Sequence, residues 1–149
     1  MKRLPLLLAC LLAACTPNIN DTDVEKEALT ASQVRALVAD KPDKTLLIDS
    51  RTPADYAAGH IPGAVNITVA QVSGLEGDLD PRISRYSTLI VYGADPGSIP
   101  AKALGKRLIA TGYKGVRFFP DGYAGWLAAG LPSETGTLHL PSTPAPASH

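Results

Sequence analysis

Residues 87–92 read Ser-Thr-Leu-Ile-Val-Tyr, a run that ends in four consecutive apolar side chains with no polar alternation. A strand of that kind must be covered on both faces, which a one-sided sheet cannot do. Residues 45–49 form a second short apolar run, and residues 64–69 and 116–119 read as two more strands. Helical signals lie between them. Thr30 with Gln33 suits a capping box, and Val34, Leu37 and Val38 continue as an apolar stripe. Thr52, Pro53 and Asp55 supply a cap, a first-turn proline and an acid for a short helix to Ala58, and a turn follows over residues 59–63. Further helices are predicted over residues 100–111, stopped by Gly112, and over residues 123–129, closed by Gly130. Strands alternating with helices predict an α/β fold: a mainly parallel sheet of about five strands with helices on both faces. Ligands of such sheets sit at the carboxyl ends of the strands, which directs attention to the loop after Tyr92.

The first 27 of the 149 residues carry a different kind of signal. Lys2 and Arg3 precede an apolar run over residues 6–14, interrupted by Cys10 and too short for a permanent membrane span. The run ends in Leu12-Ala13-Ala14-Cys15, which resembles a bacterial lipobox. The resemblance implies a signal peptide over residues 1–14 and lipidation of Cys15, anchoring the chain to a membrane. Residues 15–27 would then be a polar, acidic tether, residues 28–134 the domain, and residues 135–149 a Pro/Ser/Ala-rich disordered tail. Thr16, where Asp would resemble an inner-membrane retention signal, points to the periplasmic face of the outer membrane in a Gram-negative cell. His139 and His149 flank the tail without acidic or thiol partners, so no metal is expected there.

Charge excludes one class of partner. Basic and acidic side chains balance at 14 each, and removing Lys2 and Arg3 leaves 12 basic against 14 acidic. With no basic run and few aromatics, no nucleic-acid partner is expected. The chain has 2 cysteines, Cys10 and Cys15, both in the export region, so the domain itself has neither thiol nor disulfide.

Three spaced motifs carry a family resemblance. Residues 47–67 read Leu-Ile-Asp-Ser-Arg-Thr-Pro-Ala-Asp-Tyr-Ala-Ala-Gly-His-Ile-Pro-Gly-Ala-Val-Asn-Ile. Residues 110–116 read Ala-Thr-Gly-Tyr-Lys-Gly-Val, and residues 121–132 read Asp-Gly-Tyr-Ala-Gly-Trp-Leu-Ala-Ala-Gly-Leu-Pro. In this order they resemble the rhodanese family of sulfurtransferases, and the resemblance implies its three-layer domain. Asp49, Arg51, His60, Gly63 and Trp126 are matched positions and are read as structural. Asp49 and Arg51 end a buried strand and should tie the sheet to neighbouring loops, since a buried charge without partners costs several kcal/mol, roughly. His60 should hydrogen-bond backbone and fix the turn, and Trp126 should fill the core.

The same resemblance exposes a gap. Active relatives follow the central strand with a cysteine, whose thiolate takes up sulfur, and with a basic residue that assists an anionic donor. Here the strand is followed by Gly93-Ala94-Asp95-Pro96-Gly97-Ser98, with Gly93 in the cysteine's place and no basic residue before Lys102. Asp95 adds negative charge where an anion would approach, while Ser98 is read as the cap of the next helix. Gly93, Ala94, Asp95, Gly97 and Ser98 remain as a candidate ligand loop. The expectation is a pseudoenzyme with no cofactor: a binding module for an envelope protein or a small ligand. The alternative is sulfur handling in which a partner supplies the thiol.

Overall fold

The computed structural model of the chain describes residues 28–72 and 76–137. The expected signal peptide over residues 1–14, Cys15 and the expected tether over residues 15–27, and His139 and His149 with the rest of residues 138–149, lie outside the described residues.

Strands β1 (Thr45–Asp49), β2 (Val65–Asn66), β3 (Thr88–Tyr92) and β4 (Val116–Phe119) form one sheet in the order β2-β1-β3-β4, parallel throughout. β1 and β3 are central and pair from Thr45 opposite Thr88 to Asp49 opposite Tyr92. Among the described residues the sheet has four strands where about five were expected. Beyond β4 a single bridge, Ala28 to Phe118, stands in for a fifth. β2 is also shorter than the six residues predicted from sequence, holding Val65 and Asn66 alone. Its continuation is diverted because Thr68 and Gln71 close a capping box that winds Val69–Gln71 into a 3-10 turn.

Helices α1 (Ala31–Asp40), α2 (Pro53–Ala58), α3 (Pro81–Ser84), α4 (Ile99–Thr111) and α5 (Gly122–Ala128) cover the sheet. Thr30 N donates to Gln33 Oε1 at 2.9 Å while Gln33 N donates to Thr30 Oγ1 at 3.4 Å, which closes the α1 capping box. Thr52 Oγ1 caps α2 by accepting from Asp55 N at 3.2 Å. α4 stops where Gly112 takes φ 109°, open to a residue without Cβ. α3 was not predicted, although Asp80 followed by Pro81 is a cap signal in the sequence.

The pleat of the sheet divides the core in two. Leu46 and Ile48 of β1, with Leu89 and Val91 of β3, meet Leu104 and Leu108 of α4. Leu47, Ile90 and Tyr92 point the other way, against Val34, Tyr56 and Trp126. Every residue of β1 is buried, as the unalternated apolar run requires. Each such aliphatic side chain contributes about 1.5–3 kcal/mol on burial. Among the described residues no helix is long and apolar enough to cross a membrane.

Candidate functional site

At the carboxyl ends of β1, β2 and β3 a cavity of about 550 Å³ opens to solvent. One wall comes from the turn after β1, with Ser50, Arg51, Thr52, Pro53 and Asp55, joined by Thr68. The other comes from the loop after β3 and the start of α4, with Ala94, Asp95, Gly97, Ser98, Ile99 and Pro100. The structure thus gathers Ala94, Asp95, Gly97 and Ser98 of the candidate loop into the wall of a single cavity, while Gly93 is not among the lining residues. The partners across it, Thr52, Pro53, Asp55 and Thr68, were read in the sequence at most as helix signals. Ile99 stands 79% exposed at the rim, an apolar side chain offered to solvent.

The loop is held from behind by α5. Tyr123 N donates to Gly93 O at 2.9 Å and Ala124 N to Ala94 O at 2.8 Å, so first-turn amides of α5 find their acceptors in the loop. This contact requires glycine at 122. Gly122 has φ 62°, and a Cβ there would lie 2.7 Å from Gly93 O and 2.9 Å from Asp95 N. Ser50 fixes the near end of the loop, its backbone N and Oγ both donating to Tyr92 O, at 3.0 and 2.8 Å.

Ser98 departs from its predicted role. It occupies the N-cap position of α4, but its side chain makes no capping hydrogen bond. Its hydroxymethyl group lies over Gly93 instead. A Cβ built on Gly93 would overlap Ser98 Oγ and Cβ and come within 3.2 Å of Ala101 Cβ. The space a side chain at 93 would use is already filled. Gly93→Cys is therefore expected to destabilise the domain by about 1–3 kcal/mol, an overpacking cost. Ser98→Gly in the same chain should remove most of it, and urea unfolding of the single and double variants measures the coupling.

Arg51 contributes a guanidinium to the cavity wall, already paired. Its Nε lies 3.1 Å from both carboxylate oxygens of Asp49 and its Nη2 2.7 Å from Oδ2. Nη2 also donates to Gly59 O at 2.6 Å, and the guanidinium stacks 4.3 Å from the centre of the Tyr123 ring. Asp49 is fully buried and the Arg51 side chain 11% exposed. Burial opposes the charge on Arg51, but the hydrogen bonds and charge of Asp49 prevail and hold its pKa above the ordinary value. Burial, reinforced by the charge of Asp49, pushes the Tyr92 phenol well above its usual range. Asn66 completes the corner, its Nδ2 donating to Asp49 O at 3.0 Å and Arg51 O at 2.9 Å. With Arg51 neutralised, Asp55 and Asp95 are the remaining charged side chains of the lining. The cavity is acidic with apolar walls at Pro53, Ala94, Ile99 and Pro100.

The other matched residues are not in the cavity lining. His60 is buried, with Nδ1 2.9 Å from Tyr56 O and its ring stacked on Tyr56 at 3.9 Å. Gly63 turns at φ 77° and donates its N–H to Glu134 Oε2 at 3.1 Å. Trp126 is 4% exposed, and its Nε1 donates to Pro132 O at 2.7 Å.

Comparison with known proteins agrees with this architecture. The rhodanese-like domain family matches residues 30–129. Thiosulfate sulfurtransferase 16, chloroplastic, of Arabidopsis thaliana is 31% identical over 94 residues, covering 58% of this chain and 78% of that protein. A Synechococcus elongatus protein is 32% identical over 102 residues, covering 58% of this chain, which spans about a third (32%) of that protein's length. The solution structure of a rhodanese-like domain from Anabaena superposes with a TM-score of 0.57 at 23% identity, over 83% of this chain and 88% of that one.

Proposed function

The chain belongs to the rhodanese-like domain family, and on that premise we propose that it is a member without sulfurtransferase activity, a binding module tethered to the cell envelope by lipid at Cys15. In this reading Gly93 stands where active relatives carry the cysteine. Sulfur transfer needs a thiolate that can become a persulfide, and a glycine offers no nucleophile. The observation that carries the reading is the Ser98 side chain filling the space beside Gly93. The charges of the cavity support it too: Arg51 is bound to Asp49, and Asp55 and Asp95 oppose an anion such as thiosulfate. The cavity of about 550 Å³ is then a docking site for a partner's side chains or a small ligand.

A thiosulfate-to-cyanide sulfurtransferase assay on the full chain, with a cysteine-containing relative as positive control, tests this. No turnover above buffer is expected, and a rate near the control would overturn the proposal. Gly93→Cys is expected to remain largely inactive, because Ser98 occupies the site, Asp95 disfavours a thiolate and Arg51, the cation of the cavity lining, is held by Asp49.

One observation favours a second reading. The cavity remains open at the strand ends, where sulfur chemistry could still proceed on a thiol supplied by a partner protein. That reading expects turnover only when a cell-envelope extract is added, and loss of it on Gly122→Ala, which reshapes the loop.

A further inference from the structure

His60 is fully buried, and its Nε2 is the one buried side-chain polar atom among the described residues that has no hydrogen-bond partner. The other ring nitrogen explains the tautomer. Nδ1 lies 2.9 Å from the Tyr56 carbonyl, which can only accept, so Nδ1 carries the proton of the neutral ring and Nε2 keeps its lone pair. That lone pair faces Glu134 Oε2 at 3.8 Å. Two acceptors oppose each other there, and a single proton on Nε2 would turn the approach into a charge-assisted hydrogen bond.

Glu134 belongs to a segment that straps across the turn after α2. His60 N donates to Glu134 O at 2.8 Å, Glu134 N to His60 O at 2.9 Å, and Gly136 N to Ala57 O at 3.0 Å. The Glu134 carboxylate also receives the Gly63 N–H at 3.1 Å. We propose that His60 and Glu134 form a proton-operated latch, in which protonation of His60 fastens the segment over residues 133–136 to the turn and deprotonation loosens it.

The neighbours single out Glu134 as the responding group. From α2, Tyr56 stacks on the imidazole. Tyr92, from β3, accepts the Ile61 N–H at 3.2 Å. Arg51 holds the adjacent Gly59 carbonyl and is paired with Asp49, so neither charge is available to the ring. Tyr123, from α5, meets Ser133 Oγ at 2.5 Å and carries the Arg51 guanidinium on its ring. Through Tyr123 and the Arg51 guanidinium on its ring, the strap is joined to the wall of the cavity.

Hydrogen exchange on the full chain, compared at about pH 5.5 and about pH 8, tests the latch. Rates are normalised to the unprotected chain. Protection of the Glu134 and Gly136 amides is expected to rise about tenfold at the lower pH and to be lost as pH rises, since a hydrogen bond to a charged group is added to the local opening equilibrium. Glu134→Gln keeps an acceptor for Gly63 N–H but not the charge, and should abolish the rise. Equal protection at the two pH values in the wild type, or a rise that Glu134→Gln retains, overturns the proposal.

Discussion

Replacing Asp49 with alanine is expected to destabilise the domain by about 3–5 kcal/mol, the loss found when one partner of a buried ion pair is removed. Asp49 is fully buried at the end of β1 and accepts from the Arg51 backbone N–H as well as from its guanidinium. Alanine leaves the 11% exposed guanidinium with the Gly59 carbonyl and the Tyr123 ring as its remaining partners. Against a typical domain stability of about 5–15 kcal/mol the loss is large, and urea unfolding measures it directly. Asp49→Asn should lose less, because an amide oxygen can still accept from the Arg51 amide. The pairing predicts an asymmetry: Asp49→Leu combined with Arg51→Met should be less damaging than Asp49→Ala alone, since no charge is then stranded. A stability for Asp49→Ala within about 1 kcal/mol of the wild type would mean that solvent reaches the guanidinium easily and that the pair contributes little, as exposed pairs do.

The second large effect is expected at Trp126. Trp126→Ala should lower stability by about 3–5 kcal/mol. The indole is 4% exposed in the core formed by Leu47, Tyr56 and Ile61. It also borders a small apolar cavity of about 210 Å³, beside Pro62 and Pro132. Truncation enlarges that space and strands the Pro132 carbonyl, which receives the indole N–H at 2.7 Å. Trp126→Phe retains most of the packing and loses the hydrogen bond, so about 1–2 kcal/mol is expected of it. Denaturant midpoints for the two variants separate packing from the polar contact. If phenylalanine proved as damaging as alanine, the Pro132 contact and not the buried area would dominate.

Both predictions concern residues that lie behind the cavity, and they clarify what the matched motifs do. Asp49, Arg51, His60, Gly63 and Trp126 hold the turn after β1 and the closing helix in register. Of these, Arg51 alone reaches the cavity, with its charge already neutralised by Asp49. A scaffold of this kind can persist whether or not chemistry occurs in front of it. The distinguishing features are in the loop after β3, where a side chain at 98 has taken the volume next to a glycine at 93.

Much of this was legible in the sequence because its signals act within about one turn of chain. Thr30 and Gln33 cap each other across three residues, Thr52 caps α2 beside Pro53, and Gly112 ends α4. The unalternated run ending at Tyr92 required a strand covered on both faces, and that strand is central to the sheet. The lining opposite the loop was not legible, nor was the true position of the Ser98 hydroxymethyl, the Tyr123 amide on Gly93 O or the Glu134 carboxylate near His60. Each of the last two joins residues 30 or more positions apart in the chain. Such contacts depend on how α5 and the closing segment pack against the sheet, and no local propensity encodes that distance. The sequence determined the four strands and four of the helices, their order and the absence of a thiol from the domain, but not α3 or the shortness of β2. The tertiary structure decided the shape and charge of the cavity, because burial brings distant groups together and sets which charges are paired.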